Sequence, residues 1–223
     1  MFIKLNCAHV TSELREIRDL NRLRILDKVM AVASQELAEK GPEELSLRQI
    51  ARRLGCAIGT LYLYFRDKDA LIDAVVDAGF AGLLTSLQAV DATLPPREQL
   101  RAAFQSYVRY GIENQNLYRC AFCLPRPADR PLLRPHQAFE HLVHLVETAR
   151  AAGLFQHVAT QLAAQTIWVA VHGLTSLLVL RPDFPWTARE VLISSVMETT
   201  LRGLDSLRTI NTEGKSDGGV EIG

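Results

Sequence analysis

Several features that mark other classes of protein are scarce in this sequence. Only four cysteines occur in 223 residues, too few for the disulfide framework of a secreted scaffold. No apolar run reaches the roughly 18 residues that a membrane span needs, and there is no apolar stretch typical of a secretory signal. The longest candidate, 167–180, contains His172 and Ser176, which favours a buried helix. We therefore expect a cytoplasmic protein without a membrane partner.

The sequence also lacks a net charge and any familiar catalytic motif. It contains no nucleophile elbow, Walker loop, dinucleotide fingerprint or HExxH, so we expect neither an enzyme nor a cofactor. A helical enzyme with unfamiliar catalytic residues remains an alternative. The neutral total conceals a local excess, because residues 46–68 hold five basic side chains against Asp67 alone. Such a patch can attract a phosphate backbone, since salt screens distant charges beyond about 10 Å.

Strand patterns are missing as well, and aromatic residues make up only 7% of the chain. Ala and Leu abound at helical spacing, which predicts an all-α fold. The predicted helices span about 21–40, 47–54, 57–64, 67–89, 96–114, 116–123, 135–152, 157–180 and 187–208. Prolines between 125 and 135 predict a loop. We divide the chain into an N-terminal extension (1–20), two domains (21–70 and 71–208) and a polar tail (209–223) that we expect to be disordered. Within the extension, residues 13–20 could lengthen the first helix, whereas 1–10 show no clear pattern.

The segment from Ser46 to Lys68 has the pattern of two short helices joined by a sharp turn. Ser46 and Gln49 form a capping box, in which each side chain is expected to bond the other residue's amide. Asp67 is the expected N-cap of the helix that follows. Gly55 supplies the positive φ that the turn needs, and Ala51, one turn earlier, leaves room for the next helix. These features predict a helix-turn-helix with its recognition helix at 57–64, although an ordinary hairpin within a helical core has similar spacing.

The block from Arg24 to Leu71 resembles the DNA-binding domain of TetR-family transcriptional regulators. The resemblance rests on the stretches LAEKG (37–41), SLRQIA (46–51), LG (54–55), GTLY (59–62), YF (64–65) and KDAL (68–71). It implies a helical C-terminal domain for dimerisation and ligand binding. It further implies a homodimeric repressor that binds a near-palindromic operator in double-stranded DNA and is released by a small-molecule effector. A constitutive or activating DNA-binding regulator is the alternative.

Roles in DNA binding follow from the resemblance, position by position. Arg48 matches a residue that reaches bases or phosphates, and a guanidinium can bridge O6 and N7 of guanine. Thr60 and Tyr62 match positions whose hydroxyls bind phosphates, and Lys68 matches a phosphate contact at a helix start. For Tyr62, core packing is the alternative.

The start of the recognition helix departs from the family pattern. Ala57 stands where a Ser or Thr cap is common, and an alanine cannot cap. Ile58 cannot donate a hydrogen bond but could touch a thymine methyl group. We expect Leu61 and Phe65 to be core residues. Arg52 and Arg53 either bind DNA or are simply solvated.

The C-terminal half offers a second, shorter resemblance, because Trp168 to Gly173 matches the Trp-x-x-x-His-Gly signature of one TetR subgroup. Trp168 and His172 lie one helical turn apart and serve either core packing or ligand contact. Few charges lie in these helices, so we expect a small, hydrophobic effector. The candidate ligand-binding residues are Tyr107, Tyr110, Phe122, Phe139, Trp168 and His172.

The last two helices are expected to pair with those of a second copy, as they do in the family. Gly173, Thr175 and Ser176 form a small-residue patch on the first of these helices. An apolar stripe on the second consists of Leu192, Val196, Leu201 and Leu204.

Cys120 and Cys123 form a CxxC pair, followed by His136, His141 and His144. Such a pair can sense thiol oxidation or provide half of a zinc site, so a thiol or metal sensor is an alternative function. There is no second CxxC. We therefore expect two buried small side chains and no metal site.

Overall fold

The computed structural model describes the backbone of residues 7–122 and 135–207, with side chains from 24 to 122 and from 137 to 207. Every regular element in these ranges is a helix, which confirms the all-α prediction. Cys123, most of the predicted proline-rich loop and the predicted tail lie outside the described residues. The helices are α1 (Cys7–Lys40), α2 (Leu47–Leu54), α3 (Ile58–Tyr62), α4 (Lys68–Gln88), α5 (Pro96–Glu113), α6 (Gln115–Phe122), α7 (Pro135–Ala151), α8 (Thr160–Leu180) and α9 (Arg189–Ser206).

The first helix is longer than predicted. It begins at Cys7 rather than near residue 21, so residues 13–20 extend the helix, which the sequence had left open, and residues 7–12 extend it further. Its end agrees with the prediction: Gly41 has a φ of 83°, and its amide donates to the Leu37 carbonyl at 3.0 Å. A glycine adopts this left-handed conformation without a Cβ clash.

The described residues form two compact units, of which unit 1 comprises those up to Gly82 together with 113–122. Its core draws fully buried side chains from four helices, namely Val29, Leu37, Ile50, Leu61 and Leu71. Helix α6 joins this unit because the Asn116 side-chain amide donates to the Ala38 carbonyl at 2.5 Å. Leu117 of α6 also lies so close to Gly79 of α4 that a Cβ at residue 79 would overlap it.

Unit 2 comprises 83–112 and the described residues from 136 onward. Its core contains buried side chains from α5, α7, α8 and α9, among them Leu100, Val108, Val146, Ala149, Ile167, Leu174, Leu201 and Leu204. Ion pairs link α5 to α9, with Arg101 bound to Glu198 and Arg97 bound to Asp205.

Two helices, α4 and α8, are long and apolar enough to cross a membrane, a test that core helices of soluble proteins also pass. Helix α8 buries Ile167, Val171, Leu174 and Leu178. The predicted burial of 167–180 is therefore confirmed for one face of the helix. Leu177 and Leu180, on the other face, are exposed.

Candidate nucleic-acid interface

Helices α2 and α3 meet at a turn centred on Gly55. This residue has φ 67° and ψ 29°, and the next amide, of Cys56, donates to the Ala51 carbonyl at 3.0 Å. Ala51 is buried beneath the turn. The two sequence requirements for the turn, a glycine and a small residue one helical turn earlier, are both confirmed.

The helix ends near this turn agree only partly with the sequence. Ser46 is the N-cap residue of α2, but its side chain makes no capping hydrogen bond, so the predicted capping box is wrong. Instead, the Ile50 amide donates to the Ser46 carbonyl, and the Gln49 side chain is exposed to solvent. Asp67 does cap α4, because its carboxylate accepts the Ala70 amide at 2.7 Å.

The recognition helix α3 is shorter than predicted. It covers Ile58 to Tyr62 instead of 57–64, with Ala57 as an N-cap that provides no side-chain bond. The amides of Tyr64 and Phe65 both donate to the Leu61 carbonyl, which closes the chain into a turn.

The basic side chains of α2 divide into two groups. Arg48 and Arg52 lie one helical turn apart and are exposed, because Leu47, Ile50 and Ala51 take the buried face. Both remain available for a phosphate backbone.

Arg53, although exposed, also joins α2 to α1, a role that the sequence analysis did not foresee. Its guanidinium donates to the Glu36 carboxylate at 3.0 Å and to the Gln35 side chain at 2.5 Å. Glu36 is buried and also pairs with Lys40 at 2.6 Å. Hydrogen bonds from Lys40 and then Arg53 hold the pKa of Glu36 below its usual value, against the opposing effect of desolvation.

Lys68 occupies the first position of α4, where its Nζ donates to the Glu43 carbonyl at 3.0 Å. An ammonium group has three donors, so this bond holds the side chain in place and leaves capacity for a phosphate oxygen. The first amides of α4 add the positive end of the helix dipole at the same position.

The surface of α3 contains one residue that the sequence analysis missed. Leu61 and Phe65 are buried, as predicted. Tyr62 is 53% exposed, which excludes core packing as its role, and Thr60 and Ile58 are half-buried. Leu63 is 77% exposed. The available signal was its position two residues after Leu61, on the opposite side of the helix.

An aromatic cluster in unit 2 brings together four of the six candidate ligand-binding residues. The Trp168 ring lies 5.7 Å from that of Phe139 and 5.9 Å from that of His172. The His172 Nδ1 is 3.2 Å from the Tyr107 hydroxyl. Trp168 is 41% exposed and is therefore not a core residue. Burial lowers the pKa of His172, which favours a neutral ring.

The other two candidates have different surroundings. Tyr110 lies one turn after Tyr107 on α5 and is half-buried, which raises the pKa of its hydroxyl. Phe122 belongs to unit 1, where its ring packs against Tyr118 at 4.8 Å and Phe80 at 5.5 Å.

The CxxC pair is described only in part. Cys120 is buried on α6, in agreement with its interpretation as a small core side chain. Among residues 24–122 and 137–207, no group of three His, Cys, Asp or Glu side chains is placed to hold a metal ion.

Helix α8 exposes an apolar stripe at four-residue spacing. Val169 is 68% exposed and Leu177 is 51% exposed, with Gly173 between them and Leu180 at the end. This stripe shares Gly173 with the predicted pairing surface, but Thr175, Leu201 and Leu204 of that surface are buried within the chain. On α9, Met197, Leu201 and Leu204 are buried in the protein's own core, Leu192 and Val196 are half-buried, and Val191 is 61% exposed.

Comparison with known families gives two matches, which together cover about two thirds of the chain. The family of bacterial regulatory proteins named tetR matches residues 29–75, and the tetracyclin repressor-like C-terminal domain matches residues 100–199. The first match contains the whole α2–α3 turn, and the second contains Tyr107, Phe139, Trp168 and His172.

Similar individual proteins are regulators or have the same fold. An HTH-type transcriptional regulator of Staphylococcus aureus (strain bovine RF122 / ET3-1) is 29% identical over 101 residues, 45% of this chain and 52% of that protein. The match thus spans about half the length of this relative. A protein with unknown function from Rhodococcus sp. RHA1 has 26% identity, a TM-score of 0.69, and coverage of 79% of this chain and 93% of its own. The fatty acid degradation regulator FadR from Bacillus halodurans shares the fold, with 20% identity, a TM-score of 0.65, and coverage of 80% and 95%.

Proposed function

Because this chain belongs to the TetR family of transcriptional regulators, we propose that it is a cytoplasmic repressor that binds operator DNA as a homodimer and releases it when a small molecule binds. The observation that carries the proposal is the α2–α3 turn at Gly55, with Arg48 and Arg52 exposed beside it. A short helix with one buried and one exposed face, flanked by free cations, suits the major groove and its phosphates. No catalytic step is part of this proposal.

Contacts to DNA are assigned by the family pattern and supported by exposure. Arg48 reads a base edge or a phosphate, and the Thr60 and Tyr62 hydroxyls bind phosphates. Lys68 binds a phosphate from a position fixed by the Glu43 carbonyl. Ile58 is half-buried, which limits it to an edge contact with a thymine methyl group.

The apolar stripe of α8, together with Val191 of α9, forms the proposed dimer surface. Gly173 supports this assignment because a Cβ there would meet nothing within 4 Å. Glycine costs about 1 kcal/mol relative to alanine inside a helix, so its place at the middle of the stripe suits a partner helix that approaches closely. A dimer of this kind presents two recognition helices about 34–36 Å apart, which requires half-sites one DNA turn apart.

The effector binds at the aromatic cluster around Trp168 in this proposal. Phe139 and Trp168 supply ring faces, and the Tyr107–His172 pair supplies a donor and an acceptor. Because His172 is neutral, the site suits an uncharged or weakly charged hydrophobic molecule that carries one hydrogen-bonding group. We also propose that the chain belongs to the Trp-x-x-x-His-Gly subgroup. The Trp168 and His172 rings lie next to one another, and Gly173 follows on the exposed face of the helix.

Release requires that the effector prefer a state of the protein that binds DNA poorly. Helix α4 is the proposed link, because it begins at Lys68 beside the recognition helix and contributes residues to both units. A small tilt of this helix would displace Lys68 from its phosphate. Both recognition helices must fit successive grooves at once, so a small displacement in each protomer is enough.

The test has two stages. Purified protein is used to select DNA from a random pool, and the selected site is then titrated with a panel of uncharged aromatic and aliphatic compounds and, separately, with polyanionic metabolites and Zn²⁺. We expect a near-palindromic site and release by a member of the apolar panel. Failure to select any sequence would refute operator binding. Release by charged compounds or metal alone, or equal release from Trp168→Ala, would refute the proposed effector site.

A further inference from the structure

The outward side of the recognition helix is a ridge formed by Gly59 and Leu63. Successive helical residues are about 100° apart, so residues two before and two after the buried Leu61 share the opposite face. Leu63 continues the helix geometry, with φ −70° and ψ −21°. It is the most exposed large hydrophobic side chain in the described part of the protein, at 77%.

This ridge has no side chain that can read a base by hydrogen bonding. Bidentate recognition in the major groove uses Arg or Lys for guanine and Asn or Gln for adenine. From 57 to 63, the only polar side chains are the hydroxyls of Thr60 and Tyr62, which flank the ridge. Bidentate readout is therefore left to the exposed arginines of α2, and the ridge itself offers an isobutyl group.

Gly59 supports the view that the ridge lies against another molecule. Single exposed hydrophobic residues are common on protein surfaces and need no explanation. A glycine is unfavourable inside a helix, however, and a Cβ at residue 59 would meet nothing within 4 Å. Among the side chains that the structure describes, none requires a small residue there. A small residue at position 59 is required if the α3 backbone approaches a bound molecule closely.

We infer that Leu63 recognises the C5-methyl group of a thymine in each operator half-site, and that Gly59 lets the helix approach closely enough for this contact. The thymine methyl is the apolar group that base edges present in the major groove, so it is the natural partner of an isobutyl side chain among basic residues. The inference rests on the proposed operator binding. It predicts that the ridge of Gly59 and Leu63 contacts a T·A pair at a fixed position of each half-site.

The test replaces thymine by deoxyuridine in the operator selected by the wild-type protein. Symmetric pairs of thymines are substituted one pair at a time, and affinity is measured by fluorescence anisotropy for wild type, Leu63→Ala, Ile58→Ala and Lys68→Ala. Removal of one buried methyl weakens binding about fourfold, so loss of one in each half-site weakens it about fifteenfold. Because Leu63 is exposed, Leu63→Ala should fold normally, which circular dichroism and thermal unfolding will verify.

The expected result is one thymine pair whose methyl groups matter to wild type and to Lys68→Ala but not to Leu63→Ala. If no deoxyuridine substitution weakens wild-type binding, or if Leu63→Ala keeps the full fifteenfold penalty, the inference is wrong while operator binding stands. Loss of the penalty in Ile58→Ala alone would assign the methyl contact to Ile58 and also overturn the inference. If the random pool yields no operator, both operator binding and the inference are refuted.

Discussion

Arg48 and Lys68 carry the same charge, but the Lys68 side chain is held by a hydrogen bond while the Arg48 side chain is exposed. This difference predicts different effects on DNA binding. Lys68 is held by the Glu43 carbonyl at 3.0 Å, a geometry suited to one fixed phosphate. We expect Lys68→Ala to weaken binding to all sequences equally and to reduce the salt slope by roughly two per dimer, at about 0.9 ion per contact. Arg48→Ala should reduce the ratio of operator affinity to scrambled-DNA affinity.

Anisotropy titrations between low and moderate salt, on operator and scrambled duplexes, measure both quantities. Arg109→Ala, at an exposed position of α5 in unit 2, is the matched control for loss of a positive charge. The opposite pattern, with sequence discrimination lost in Lys68→Ala, would exchange the two roles.

Glu36 predicts a pH dependence of stability. Lys40 and Arg53 hold its pKa below the usual value, so the folded protein releases this proton more readily than the unfolded chain. The resulting stabilisation is complete above the unfolded pKa near 4.5 and is lost as the pH falls through the lower, folded pKa. Glu36→Gln should therefore lower the melting temperature at pH 7 by more than it does at pH 3.

Thermal unfolding followed by circular dichroism between pH 7 and pH 3 tests this expectation. Asp27→Asn, at an exposed position of the same helix, is the control for removal of a carboxylate. An equal loss of stability at both pH values would mean that Glu36 acts through packing instead of charge.

Single residues also show where sequence information ends. Gly55, Asp67, Leu61 and Phe65 were predictable because their roles depend on local conformation or on helical spacing. Arg53 was not, because its partners Glu36 and Gln35 lie on another helix, 17 and 18 residues earlier. A basic side chain that binds phosphate and one that pairs across helices have the same local sequence signal.

At the level of helices, the contact between α4 and α6 predicts a steric coupling. Alanine in place of a helical glycine stabilises by about 1 kcal/mol, whereas overpacking costs about 1–3 kcal/mol. Because a Cβ at residue 79 would overlap Leu117, we expect Gly79→Ala to lower the free energy of unfolding by up to about 2 kcal/mol. The double variant Gly79→Ala, Leu117→Ala should lose less free energy of unfolding than the two single variants lose together.

Urea unfolding of the four members of this double-mutant cycle measures the coupling. Gly203→Ala is the control, since a Cβ in that part of α9 meets nothing within 4 Å, and it should leave stability unchanged or raise it. Additive effects of the Gly79 and Leu117 changes would contradict the close contact of the two helices.

The exposed stripe of α8 predicts that a single substitution can abolish dimerisation. Leu177 is half exposed within one chain, so Leu177→Arg should leave the monomer folded while it places a charge in the apolar dimer surface. We expect sedimentation velocity at micromolar concentration to show a dimer for wild type and a monomer for the variant. Gln105→Arg, exposed on α5, is the matched control. A Leu177→Arg variant that remains a full dimer would place the interface elsewhere.

Most helix boundaries followed from the sequence within three residues, because apolar periodicity, prolines and glycines act locally. The exceptions have physical causes. Residues 7–10 show no clear periodicity, yet they belong to α1, and α3 ends two residues early where the Tyr64 and Phe65 amides share the Leu61 carbonyl. The stripe of α9 was visible in the sequence, but its burial against the protein's own core was not. Periodicity identifies an apolar face but does not identify what covers it.

For the whole molecule, the grouping of helices depends on contacts that no local pattern reveals. Helix α6 lies far from α1 in sequence, yet it belongs to the same unit through Asn116, Leu117 and the ring of Phe122. The same limit applies to the candidate effector site. Tyr107 and His172 are 65 residues apart, and only the fold brings the hydroxyl to the imidazole nitrogen.

The proposed repression and release predict a reciprocal effect between the two ligands. If the effector weakens operator binding by some factor, thermodynamic linkage requires the operator to weaken effector binding by the same factor. A coupling of about 1–3 kcal/mol corresponds to roughly 5–150-fold. We therefore expect calorimetry with the apolar compound that releases DNA to give a dissociation constant 5–150-fold higher for the operator complex than for free protein. Trp168→Ala should lose effector binding in both states and keep its affinity for the operator, because Trp168 lies outside the unit that contains the recognition helix. Equal effector affinity with and without operator would show that the compound binds without coupling to DNA, and the release mechanism would then be wrong.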